Sequence, residues 1–101
     1  MPNIIYEHKL DVLFYLVFMN IFIARLDYSL RNEELEGLFS DYGQVDSARV
    51  IMDRDTGRSK GFGFVEMPNE EEARAAIAGL DNFAVKGRNI VVKEAEERAA
   101  R

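Results

Sequence analysis

Two short stretches of this chain repeat apolar residues at helical spacing, and this most limits how it can fold. Leu35, Leu38, Phe39 and Tyr42 fall at i, i+3, i+4 and i+7, and Ala73, Ala76, Ile77 and Leu80 repeat those intervals. Each set makes one apolar stripe along an α-helix, and a stripe of that kind has to be covered by a partner surface. Pro68 and Asn69 precede the second stretch, and Asn69 with Glu72 three residues later resembles a capping box. For the first helix either Arg31 or Asn32 is the cap. Four β-rich runs, residues 20–25, 47–52, 61–66 and 89–94, supply the surface the stripes need. The charged segment 53–60 turns at Thr56-Gly57 between the second and third runs, and Lys86-Gly87 makes a tight turn before the last.

The order is therefore strand, helix, strand, strand, helix, strand. It predicts an α+β fold, the ferredoxin-like βαββαβ sandwich, with a four-stranded antiparallel sheet and both helices on one face. The other face of the sheet is left without a cover. Side chains alternate along a strand, so inward Ile21 and Ile23 turn Phe22 outward. Inward Val65 likewise turns Lys60, Phe62, Phe64 and Glu66 outward, and inward Ile90 and Val92 leave Asn89, Val91 and Lys93 on the open side. Three phenylalanines from two strands are thus expected on a face with no helix over it, which calls for a ligand.

Composition narrows the chemistry. The 101 residues have room for one domain. No cysteine is present and the single histidine, His8, lies near the start, so thiolate metal sites, disulfides and histidine pairs are excluded. A net charge of −5 argues at first against a polyanionic partner. Its distribution removes the objection: residues 31–41 carry a net of −3 and residues 70–80 a net of −2, which together equal the whole imbalance. Both segments are the predicted helices, where Glu33, Glu34, Glu36 and Glu70 to Glu72 also suit helix N-termini.

The third run, "KGFGFVEM" at residues 60–67, resembles the octapeptide signature of the RNA recognition motif family. That pattern is basic, Gly, aromatic, Gly or Ala, aromatic, aliphatic, any, aromatic. Seven of the eight positions fit, and Met67 replaces the last aromatic at a core-facing place. The family's hexapeptide has its counterpart in "IFIARL", residues 21–26, where Phe22 and Leu26 match and Arg25 stands where Asn is usual. The resemblance spans about residues 19–95 and is nearest to small single-domain bacterial proteins of the family. It implies that Phe22, Phe62 and Phe64 stack on successive bases of single-stranded RNA, or of single-stranded DNA, and that Lys60 meets a phosphate. It also implies that Arg49, Asn89, Lys93 and Glu94 flank the path, while Arg25 either adds a phosphate contact or perturbs the turn after the strand. No cofactor or metal and a cytoplasmic location are expected.

Two other classes compete with this reading. A protein-interaction domain on the same fold, its open face covered by the N-terminal segment or by a partner, is the alternative. An enzyme is not expected, because no paired carboxylates in a cleft, metal cluster or nucleophile–base pair is legible. Gly61 and Gly63 do not form a phosphate loop, since no Gly-Lys-Ser/Thr follows at the required spacing; they read as residues that keep the strand flat and admit close neighbours.

Residues 1–18 form an apolar extension, residues 19–95 the domain and residues 96–101 a tail of mixed charge. The apolar run 12–24 is about 13 residues, short of the ~20 that cross a bilayer. Glu7 and Asp11 stand where a signal peptide carries positive charge, and the second half of the run belongs to the first strand. Three readings stay open for residues 1–18: an extension upstream of a natural start at Met19, which is preferred; an added element packed over the open sheet; or a self-association surface through residues 12–18.

Overall fold

The computed structural model describes residues 19–95, and the expectations for residues 1–18 and 96–101 fall outside them. The chain folds in the order β1 (Met19–Ala24), α1 (Asn32–Ser40), β2 (Ser47–Met52), β3 (Ser59–Met67) and α2 (Glu70–Leu80). It closes with a small hairpin, β4 (Ala84–Val85) and β5 (Arg88–Asn89), and the last sheet strand, β6 (Val91–Glu94). The main sheet has the order β2-β3-β1-β6 with every neighbour antiparallel, so the expected α+β sandwich is the observed one.

Strand alternation divides the sheet cleanly into two faces. Met19, Ile21 and Ile23 of β1, Val65 and Met67 of β3, and Val92 of β6 are buried together with Leu35 and Phe39 of α1 and Ala73, Ala76 and Leu80 of α2. The stripes that define the helices are thus the surfaces that cover this side of the sheet. Burying apolar area at about 25 cal/mol per Å² is the main force holding the layers together. Met67 is fully buried, so its side chain serves packing.

The helix ends also close the sheet edges. Asn32 is not the cap of α1; Arg31 holds that position, and its N–H donates to Glu34 Oε1 at 2.8 Å. Asn32 Oδ1 instead accepts the N–H of Val50, on edge strand β2, at 2.8 Å. At the opposite edge Asp81, which caps the C-terminus of α2, accepts the N–H of Val92 on β6 at 2.9 Å. A side chain thereby occupies a donor on each edge strand, which blunts unwanted strand pairing. In α2 the capping box is half formed. Asn69 Oδ1 accepts the N–H of Glu72 at 2.9 Å, but the Glu72 carboxylate accepts the N–H of Gln44 at 3.1 Å rather than returning to Asn69.

The last predicted run divides in two. Lys86 and Gly87 both have positive φ, 52° and 84°, as a two-residue type I′ hairpin requires. That turn pairs Arg88 and Asn89 with Val85 and Ala84, so the main sheet gains its fourth strand only from Val91. Among the described residues no helix is long and apolar enough to cross a membrane.

Candidate nucleic-acid interface

On the face away from the helices, β1 and β3 run side by side with Phe22 opposite Phe64 and Ala24 opposite Phe62. The three rings meet: the Phe22 centroid lies 5.9 Å from Phe62 and 5.5 Å from Phe64, and Phe62 lies 6.4 Å from Phe64 in an edge-to-face arrangement. These separations are those of favourable aromatic pairs. Because the rings shield one another, Phe22 and Phe62 are half-buried and only Phe64, at 38% exposure, stands open.

The spacing of the rings depends on two glycines that do different jobs. A Cβ on Gly63 would sit 2.5 Å from the carbonyl oxygen of Arg49, so β2 approaches β3 where only glycine allows it. The register between β2 and β3 shifts just beyond, between Val50 and Met52. Gly61 does not keep the strand flat. Its φ is +85°, in the region that favours glycine, and its carbonyl accepts the N–H of Leu26 at 2.9 Å.

The other expected residues divide by position. Lys60 and Arg25 line one groove with Phe22 and Phe62. Arg49, opposite Phe64, lines a second groove with Phe64, Asn20, Ser47 and Glu66. Lys93 is exposed beside Phe22 on β6. Glu94 is not brought to this face. It lies one residue beyond Lys93 in the alternation, opposite inward Ile21, and its charge acts on Arg74 of α2. Asn89 takes part in the hairpin instead: its Nδ2 donates to Asn82 Oδ1 at 3.2 Å, and its carbonyl accepts from Arg25 Nε at 3.2 Å.

Arg25 has φ of 62°, a left-handed conformation that Asn adopts more readily than Arg. The family's usual Asn would thus suit this backbone, and the Arg here is held by its Nε donating to the Asn89 carbonyl.

Two residues escaped the sequence reading. Tyr28 is 67% exposed, and Arg88 places its guanidinium carbon 5.8 Å from the Tyr28 ring centroid. Both line the groove with Lys60, Arg25 and Phe62. Neither lies on a strand of the main sheet, so alternation gives no direction for them. The only sequence signal was an aromatic set among polar neighbours just past the first strand. Beside them Asp27 accepts from the Ser29 hydroxyl and from its N–H, and these bonds, helped by the Lys86 and Arg88 charges, hold its carboxyl below the usual range.

A sheet with both helices on one face and three packed rings on the other defines a class, and comparison with known proteins agrees with it. Residues 21–91 match the RNA recognition motif, and the chain belongs to that family. It is 51% identical over 81 residues to "RNA-binding protein CP31B, chloroplastic" of Arabidopsis thaliana, covering 80% of this chain and 28% of that one. It thus spans under a third of that relative's length. Among solved structures it resembles "RNA Binding Protein PG1" at 56% identity and a TM-score of 0.76, covering 79% of this chain and 96% of the other. It also resembles a "SXL-lethal protein/RNA complex" at 29% identity and a TM-score of 0.71, covering 75% and 47%. The likeness expected to bacterial proteins is corrected, since relatives such as those of Arabidopsis thaliana and Spinacia oleracea are plant proteins. Their names place them in the chloroplast, which lends no support to the cytoplasmic expectation.

Proposed function

We propose that this domain is a binding module, not an enzyme, which holds single-stranded RNA by stacking bases on Phe22, Phe62 and Phe64. Lys60, Arg25, Arg49 and Lys93 meet the phosphates around that platform, and Asn89 acts through its carbonyl by holding Arg25. The observation that carries this reading is the cluster of three touching rings on the sheet face away from α1 and α2, with these cations around it. Every base has a flat apolar face, so such a platform accepts many sequences, with a stacking contribution of about 1–3 kcal/mol per base. The acidic helices lie behind the sheet and do not oppose a strand laid across its front. The names of the relatives, RNA-binding proteins, point the same way.

Titration of fluorescent oligouridylates tests it. The Phe62→Ala/Phe64→Ala variant removes two rings that are not part of the core, so it stays folded by circular dichroism. Its affinity falls by about 2–6 kcal/mol, at least ~30-fold. Wild-type affinity in that variant would sink the stacking reading. A deoxy oligomer of matching sequence compares DNA with RNA, because only contacts to the 2′-hydroxyl separate the two strands on a stacking platform.

A further inference from the structure

The groove at the Phe62 end continues past the phenylalanines, and its far wall is not used by the stacking platform. We propose that Tyr28 and Arg88 form a seat for one further nucleotide of the same RNA strand, with Arg25 and Lys60 holding the phosphate that joins it to the base on Phe62. This rests on the RNA-stacking reading above and extends it.

The local backbone builds the seat. β1 ends at Ala24, and left-handed Arg25 reverses the chain so that Leu26 returns to the core, fully buried, with its N–H on the Gly61 carbonyl. Two residues later the Tyr28 ring comes to rest against Gly61, where a Cβ would meet Tyr28 Cε1 at 3.0 Å. The absence of a side chain at Gly61 therefore lets an exposed aromatic stand beside the platform, in one groove with Phe22 and Phe62. Arg88 comes from the start of β5 in the hairpin and sets its guanidinium toward the ring.

The charges favour a nucleotide as the occupant. Among the described residues Arg25, Lys60 and Arg88 line this groove and no carboxylate does. Among the described residues none of the three has a carboxylate within ion-pair distance, whereas Lys86 pairs with Glu34 and Arg74 with Glu70. Three cations without a close ion pair, set together in a chain of net charge −5, favour an anion at this place. Arg25 is also fixed in place, since its Nε donates to the Asn89 carbonyl. An aromatic face beside anion-binding cations, continuous with a stacking platform, matches a base with its phosphate.

The test lengthens oligouridylate one nucleotide at a time and follows affinity for wild type, Tyr28→Ala, Tyr28→Phe and Phe62→Ala/Phe64→Ala. Wild type gains about 5- to 150-fold in one step after the platform is filled. Tyr28→Ala loses that step while binding shorter oligomers as wild type does, and Tyr28→Phe keeps it. A step retained in Tyr28→Ala, or an equal loss at every length, overturns the seat. If Phe62→Ala/Phe64→Ala is impaired at every length while Tyr28→Ala matches wild type throughout, the platform stands and only the seat falls. If the double variant binds every length as wild type does, the stacking reading fails, and the seat with it.

Discussion

Phe62 and Phe64 stand two residues apart on one strand, yet they face different surroundings. Around Phe62 the groove is lined by Arg25, Lys60 and Arg88, with Tyr28 beyond them. Around Phe64 it is lined by Arg49 and Glu66 together with Asn20 and Ser47, and the Ser47 hydroxyl lies 3.3 Å from the Glu66 carboxylate. The ring chemistry is the same at both ends and suits any base. The charge is not the same. Glu66 shares the groove of Arg49 and weakens the attraction of that end for phosphate, while among the described residues no carboxylate lines the groove at the Phe62 end. On the proposed reading the comparison separates two jobs that a net charge of −5 conceals: the platform takes bases along its whole length, and one end of it grips the backbone.

The largest disturbance breaks both ends together. In Gly63→Ala the new Cβ collides with the Arg49 carbonyl, and since that atom is backbone the strands have to part. Urea denaturation should show a loss of about 1–3 kcal/mol, accompanied by weaker RNA binding as Phe62 and Phe64 lose their spacing. Wild-type stability in this variant would mean that the close approach of β2 to β3 is not a constraint.

A smaller change sharpens the difference between the ends. The slope of log affinity against log salt reports phosphates neutralised, at about −0.7 for each on a single strand. Lys60→Gln should make the slope shallower by about that amount, whereas Arg49→Gln should change it less. Equal changes at the two ends would erase the asymmetry.

The smallest effect lies at Arg25. Arg25→Asn places in the left-handed turn a residue that tolerates it, and thermal denaturation should show a gain of about 0.5 kcal/mol. RNA affinity should fall at the same time, because the cation has gone. A fall in stability instead would show that the hydrogen bond from Arg25 to the Asn89 carbonyl outweighs the relief of the backbone.

Regular elements were legible because their periods are written in the residues. Leu35 to Tyr42 and Ala73 to Leu80 carry the helical interval, and alternation turned Phe22, Phe62 and Phe64 to the open side. The misreadings lie where no period operates or where a turn resets it. Lys86 and Gly87 fold Arg88 and Asn89 back on Ala84 and Val85, which removes them from the main sheet. Glu94 follows Lys93 and so falls to the side of α2, where its charge acts on Arg74. Tyr28 and Arg88 owe their meeting to the turn at Arg25 and to the hairpin, two events far apart in sequence. Asn32 and Glu72 have the chemistry of helix caps but are used across the fold, on Val50 and Gln44.

Nuclear Overhauser contacts between oligouridylate and the aromatic rings test the stacking claim most directly. At saturation, the uracil H5 and H6 protons should show contacts to the rings of Phe22, Phe62 and Phe64. Saturated binding whose contacts fall on α1 and α2, with none to these three rings, would contradict the account.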